Sequence, residues 1–179
     1  MSSVYDLIAH RQSDRAYDTE KELDKEVIER IIEAARLAPS ACNSQPWHLI
    51  AVTDKEKRMA VADALASMGM NKFASQAPCH IVIVQESPNF SARLGGWVQN
   101  KHYPLIDCGI MAAHLTLLAT EEGLGSCILG WFDEKKMKKA LGIPRGKKVL
   151  LDVVIGHSVQ KFREKSRKKA EEISSFNEY

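Results

Sequence analysis

Three stretches of this 179-residue chain carry side chains suited to holding an anion or the edge of a flat polar ring. The first is Arg11-Gln12-Ser13-Asp14-Arg15. A guanidinium presents a planar fork of donors that matches a phosphate, and a serine hydroxyl adds another donor beside it. The second is Ala38-Pro39-Ser40-Ala41-Cys42-Asn43-Ser44-Gln45-Pro46-Trp47. Its prolines restrict the backbone, and the amides of Asn43 and Gln45 offer donors and acceptors together, as a heterocycle edge requires. The third is a polar, basic tail over residues 158–179, with Lys161, Arg163, Lys165, Arg167, Lys168 and Lys169. Taken singly, each has a plainer reading: two solvated arginines, a turn ahead of a core tryptophan, a solvated charge run. Beyond Phe162 the tail's cations have no interleaved aromatic stacking pattern, which disfavours a nucleic-acid arm. No His/Cys/Asp grouping stands out as a side-chain catalyst.

The surrounding elements must place these stretches. Ser3 and Asp6 have the spacing of a capping box, opening a short helix with Val4, Leu7, Ile8 and Arg11 on related turns. That helix stops near Gln12 or Ser13, so the first stretch lies at its end. Asp24 can cap a second helix with Val27, Ile28, Ile31, Ile32 and Ala35 on one face, ended by Pro39. Residues 47–52 read as a strand. Asp54 caps a helix carrying Val61, Leu65 and Met68 on one side, and residues 80–84 form a β-branched strand covered on both faces. Residues 85–105, with Pro88, Gly95, Gly96 and Pro104, read as irregular. Residues 107–122 form a helix apolar almost all round, which must be central to the core or covered by a second subunit. A strand over 126–132 follows, then a lysine-rich helix capped by Asp133 and ended by Gly142 and Pro144, then a strand over 149–155. Four strands and about six helices in this order indicate an α+β layered domain spanning residues 1–179.

Apolar residues make up 45% and the net charge is only +2, so no global field draws the chain to nucleic acid or acidic membrane. Cys42, Cys79, Cys108 and Cys127 form no Cys-x-x-Cys pair and no zinc spacing, and read as buried reduced thiols. Residues 1–20 lack the apolar core of a secretory signal, and the longest nearly apolar run, residues 108–120, falls short of the ~20 residues of a membrane span. The expectation is a cytoplasmic protein.

The three stretches also occur in the order and spacing of one family. Arg11-Gln12-Ser13-Asp14-Arg15-Ala16-Tyr17 resembles the opening Arg-x-Ser-x-Arg-x-Phe/Tyr of FMN-dependent nitroreductases. Residues 39–47 are similar to their Pro-Ser-x-x-Asn-x-Gln-Pro-Trp signature. Residues 107–125 resemble their Asp-x-Gly helix with its closing Gly-Leu-Gly, and Ile155-Gly156-His157, followed by Lys165-Ser166-Arg167, resembles their terminal strand end. The resemblance implies a mixed, mainly antiparallel sheet flanked by helices, in an intertwined homodimer with FMN at each subunit junction. It implies that Arg11 and Ser13, with Gln12 beside them, hold the FMN phosphate together with Lys165 and Arg167 of a tail that extends onto the flavin or the partner subunit. Arg15 would stand at the pyrimidine edge of the ring. Pro39, Ser40, Asn43 and Gln45 would reach the flavin from the partner, Asn71 would contact the ring, and the backbone of Ile128, Leu129 and Gly130 would face it. The implied reaction is ping-pong hydride transfer from NADH or NADPH to a nitroaromatic, a quinone or a similar small acceptor, with no catalytic side chain and no metal.

Several positions depart from the family pattern. Gln12 stands where Arg or His is frequent, and Ala74 stands where some larger members have a lysine. Residues 85–105 are short beside the helical roof of larger members, implying an open pocket. Trp97, Tyr103 and Trp131 are candidate ring-stacking walls, with core packing the plainer alternative for each. Two other functions stay open at this stage: a flavoenzyme of the same fold with other chemistry, such as reductive dehalogenation or flavin fragmentation, and a non-catalytic binding protein with a basic tail.

Overall fold

A computed structural model describes residues 3–179; the first two residues of the opening segment, read above as lacking a signal core, lie outside the described residues. Its framework is a four-stranded sheet in the order β1-β2-β4-β3, formed by β1 (Trp47–Val52), β2 (Cys79–Gln85), β3 (Gly125–Leu129) and β4 (Lys148–Gly156). Every neighbouring pair is antiparallel. The only parallel pairing among the described residues is an isolated bridge between Ser13 and Ser126.

The helices are α1 (Val4–His10), α2 (Lys25–Arg36), α3 (Lys55–Leu65), α4 (Phe90–Gln99), α5 (Tyr103–Glu121) and α6 (Glu134–Leu141). Strand β2 shows how the layers form. Cys79, Ile81 and Ile83 face one way into a core with Ile28, Ile31 and Ala35 of α2 and Met111, Leu115 and Ala119 of α5. Val82 and Val84 face the other way, onto Val61 and Leu65 of α3 and Met137 of α6. This period-two alternation, apolar on both faces, is what a strand between two helical layers requires.

Side-chain caps set the helix starts: Ser3 and Asp6 form the capping box of α1, and the Asp54 and Asp133 carboxylates accept from Lys57 N and Lys136 N at the heads of α3 and α6. Asp24 stands at the N-cap of α2 without a side-chain bond.

Four expectations are corrected. Residues 85–105 are not irregular, because Asn89 caps α4 by accepting from Ala92 N. Helix α5 begins at Tyr103, with Pro104 in its first turn, where a missing N–H costs nothing. Met68 leaves the α3 face: it sits in a tight turn beyond the helix end, at φ 55° and 84% exposed. Of the four cysteines, Cys79, Cys108 and Cys127 are buried, but Cys42 is exposed.

Helix α5 is long and strongly apolar. Asp107, Cys108, Met111, Ala112, Leu115, Thr116 and Ala119 are buried, whereas Leu105, Ile106, Gly109 and Ala113 lie exposed on the outer side. It is 19 residues long and apolar enough to cross a membrane by composition, yet its inner face packs against α2 and the sheet.

Candidate functional site

Arg11 is the C-cap of α1, its N–H donating to Leu7 O at 2.8 Å. The chain then leaves the helix and is clasped from both sides. On one side Asp14 N donates to Ser126 O of β3 at 2.9 Å. On the other, Asp18 N donates to His157 O at 2.9 Å and Val159 N to Ala16 O at 3.1 Å, just beyond β4. The buried Asp14 carboxylate is the centre of the clasp, its Oδ1 accepting from Gln12 Nε2 at 2.9 Å and from Ser158 Oγ at 2.7 Å. The Tyr17 hydroxyl donates to Asp14 O at 2.8 Å, and burial pushes its phenol far above the ordinary range.

Two paired glycines, Gly125 of β3 and Gly156 of β4, make this closeness possible. A Cβ on Gly125 would lie 2.6 Å from Ser158 Cβ and 2.8 Å from Asp14 Oδ2; one on Gly156 would lie 2.5 Å from Pro78 Cδ. Only the bare backbone fits there.

The clasp carries the tail back over the first stretch. Gln160 Oε1 accepts from Arg15 N at 3.1 Å, Arg163 N donates to Gln12 Oε1 at 3.1 Å, and Arg163 Nη2 donates to Ser13 O at 3.2 Å. Lys165 Nζ donates to Ile8 O at 2.7 Å and also to Ala9 O, a favourable place for a cation at the last carbonyls of α1. Desolvation, then the positive charges of Arg11 and Arg167, hold the Lys165 ammonium below its ordinary range. Three cations from the two ends of the chain thus gather in one place. Among the described residues none of the three is ion-paired with a carboxylate.

The predicted residues Arg11, Gln12, Ser13, Lys165 and Arg167 are therefore brought together, with the Arg15 side chain exposed beside them. Gln12 is engaged at both ends of its amide, holding Asp14 and the tail. On the other side of the Ser13–Ser126 bridge, β3 ends at Leu129, short of the predicted Phe132, with Ile128 40% exposed and Leu129 buried. Asn71, left-handed at φ 47°, donates through Nδ2 to Trp131 O at 2.9 Å and so ties its own turn to the segment after Gly130.

Residues 38–46 form a separate unit. The Ser40 hydroxyl accepts from Gln45 N at 2.9 Å, and Gln45 Nε2 donates to Asn43 Oδ1 at 3.2 Å. Cys42, Asn43 and Gln45 all have positive φ, at 52°, 50° and 47°. For non-glycine residues each costs about 1–2 kcal/mol, somewhat less for asparagine, so outside bonds must hold the turn. They come from α4 and α5: Asn89 N donates to Ser44 Oγ at 2.8 Å, Asn89 Nδ2 to Cys42 O at 2.9 Å, and Ala41 N to Asp107 Oδ1 at 3.1 Å. Pro39, Asn43 and Gln45 are exposed, and Ser40 is half-buried. The turn is tied to α4 and α5, not to the cation cluster.

Trp97 and Trp131 are 82% and 53% exposed, so neither is a core residue, while Tyr103 packs beside Gly96. Concavities of about 330, 320 and 240 Å³ lie against β1, beneath α4 and beside Arg58; the second is lined by Trp97, and none is lined by a residue of the three stretches, by Asn71 or by residues 128–130. Sequence reasoning missed Asp14, Ser158, Gln160 and Arg163 as the residues that build the clasp. All four sat inside stretches already marked, but their pairings span as much as 151 residues and left no local signal.

The nitroreductase family model matches residues 8–72 and 67–157. An oxygen-insensitive NADPH nitroreductase of Helicobacter pylori is 31% identical, over 90% of each chain. An FMN-dependent nitroreductase of Clostridium difficile superposes with a TM-score of 0.79 at 27% identity, over 97% of this chain and 98% of that one. A nitroreductase-like protein of Streptococcus mutans, 20% identical, shares the fold with a TM-score of 0.85 over 97% of each chain. With its α+β architecture, its clasped cation cluster and these matches, the chain belongs to the nitroreductase family of oxidoreductases.

Proposed function

We propose that the protein is an FMN-dependent NAD(P)H oxidoreductase that reduces nitroaromatics, quinones or similar small acceptors, and that it works as a homodimer. The observation that carries this reading is the seating of Lys165 on the last carbonyls of α1, beside Arg11 and two residues before Arg167, with none of the three paired to a carboxylate among the described residues. Three mutually repelling cations held by a built clasp are stabilised by a phosphate dianion. The residues thus fit a mononucleotide. A relative from Bacillus subtilis, 24% identical, is named an FMN reductase acting with NAD(P)H.

When bound, FMN supplies hydride chemistry, taking two electrons from NADH or NADPH and passing them to the acceptor. The chain's own residues bind and tune. Arg11, Ser13, Lys165 and Arg167 would hold the phosphate, with Gln12 keeping the tail in place. Arg15, exposed beside them, would set positive charge against the pyrimidine edge and favour the reduced ring. Asn71 and the backbone of residues 128–130 would line the ring from the same protomer. Pro39, Ser40, Asn43 and Gln45 would reach it from the second copy, in keeping with the turn's separation from the cation cluster.

The homodimer is supported by unburied apolar surface. Val4, Tyr5 and Ile8 of α1 are 70%, 78% and 52% exposed, and Leu105 and Ile106 of α5 are 46% and 52% exposed. Gly109 and Ala113 continue the α5 stripe, and small residues let a second backbone come close. In the tail Ile173 is 71% and Phe176 94% exposed, as expected of a segment that packs on a partner.

The purified protein is expected to be yellow, with flavin absorption bands in the blue and near ultraviolet. Arg11→Ala is expected to weaken FMN binding by about 1.5–3 kcal/mol, the scale of a hydrogen bond to a charged group. A colourless protein that takes up no added FMN, or an unchanged flavin dissociation constant in the variant, would overturn the assignment.

A further inference from the structure

We propose that Asp107 is a positioning residue: its buried carboxylate holds the strained turn over residues 40–45 in the shape that meets the cofactor. This rests on the reading above that the turn contacts FMN. Asp107 is 3% exposed, within the first half of α5, and does not belong to the cation cluster. Its Oδ1 accepts from Ala41 N at 3.1 Å, across 66 residues of sequence, and its Oδ2 has no hydrogen-bond partner. Nearly all of its bonding is thus spent on one backbone amide. That amide opens the tight turn in which Cys42, Asn43 and Gln45 are all left-handed.

Within the turn Asn43 N donates to Ser40 O and Ser44 N to Ala41 O, both at 3.0 Å, and none of these bonds ties it to the rest of the molecule. The ties are Ala41 to Asp107, and Cys42 and Ser44 to Asn89. Asn89 also caps α4, so it can move with that helix, whereas Asp107 is anchored in the buried face of α5 against the sheet. Asp107 therefore fixes where the turn sits, and Asn89 links it to α4. Each side chain that the turn would present to the cofactor, Ser40, Asn43 and Gln45, lies within four residues of the Asp107 tether.

The test compares Asp107→Ala with Asp107→Asn in the full chain, by amide hydrogen exchange without FMN and by FMN titration followed through flavin fluorescence. In Asp107→Ala the amides of Ala41, Ser44 and Gln45 are expected to exchange at least ten times faster while those of β2 are unchanged, and FMN affinity is expected to fall about tenfold. Asp107→Asn keeps an acceptor for Ala41 N and is expected to restore most of both. Unchanged exchange at Ala41 in Asp107→Ala overturns the tether. Faster exchange with unchanged FMN affinity overturns the positioning role and, with it, the contact of this turn with the cofactor, while the tether itself stands. Loss of protection in β2 as well, with no rescue by asparagine, shows a core residue instead of a positioning one and also overturns the proposal.

Discussion

Replacing Gly125 by alanine adds one methyl group where three parts of the chain meet. The new Cβ would stand 2.6 Å from Ser158 Cβ, 2.8 Å from Asp14 Oδ2 and 2.9 Å from Asp14 Cγ. Carbon atoms rest at about 3.5–4.0 Å, so Ser158 must retreat by roughly 1 Å. Neither neighbour is the free end of a flexible side chain. Ser158 is fixed by the bridge that pairs it with Tyr17, and the carboxylate is fixed by bonds from Gln12 and Ser158. Overpacking of this kind costs about 1–3 kcal/mol. Loss of the 2.7 Å Ser158–Asp14 bond adds a contribution on the scale of a charged hydrogen bond, about 1.5 kcal/mol or more. A total of about 2.5–4.5 kcal/mol lowers the thermal midpoint of a domain this size by roughly 5–18 °C. Because the retreat carries Lys165 and Arg167 away from Arg11, FMN affinity should fall about 10- to 100-fold, the equivalent of one charged contact. Thermal unfolding by circular dichroism and FMN titration measure the two effects separately. Gly146→Ala, where a Cβ meets nothing within 4 Å, serves as the control and should move neither. A Gly125→Ala protein with wild-type midpoint and flavin affinity would refute the clasp as the support of the cation cluster.

Lys165 carries a pH signature. Its ammonium titrates below the ordinary lysine value, so FMN affinity should decline on the alkaline side before pH 10.5, as the positive charge is lost. For the free protein the sign is opposite: charged Lys165 is disfavoured by folding, so its contribution to stability improves as pH rises towards the unfolded pKa. Lys165→Arg, which does not titrate, should remove the alkaline decline in flavin binding, and an identical pH profile in the variant would show that another group controls it. Ile106→Glu, placed on the exposed α5 stripe, should convert a dimer to a monomer in sedimentation velocity and release FMN; a variant that stays dimeric and yellow would rule out that stripe as the interface.

What the sequence made legible was whatever is encoded over a few residues. Asp54 and Asp133 announced helix starts because an N-cap acts on the amide three residues ahead. β1 could be read to its ends, since Pro46 precedes it and Asp54 caps the helix that follows. α4 was misread because Gly95 and Gly96 look like helix breakers. Here Gly96 lies where a Cβ would meet Lys101 O at 2.7 Å, so the glycine serves the close return of the chain into α5 and not a break in α4. The cation cluster was visible as residue types at both ends of the chain, but the device that unites them was not. Asp14 reads as an ordinary surface acid until Ser158, 144 residues later, is folded against it. Gly125 and Gly156 read as helix and strand punctuation until their pairing shows a gap that only hydrogen atoms can fill.

The same contrast separates two groups of candidate residues within one chain. The cation cluster is built on α1, β3 and the tail, whereas the strained turn hangs from α4 and α5. No concavity described above is lined by residues of both. Helix α5 meets both requirements: its inner face carries the Asp107 tether, and its outer face is a stripe of Leu105, Ile106, Gly109 and Ala113 that water covers at a cost. Covering that stripe with a second copy would bring one copy's turn towards the other's cations. Cofactor binding and association then become linked, because a ligand that touches both copies binds only the dimer and stabilises it by mass action. On this reading, the apolar outer face of α5 is as much a part of the cofactor site as the arginines.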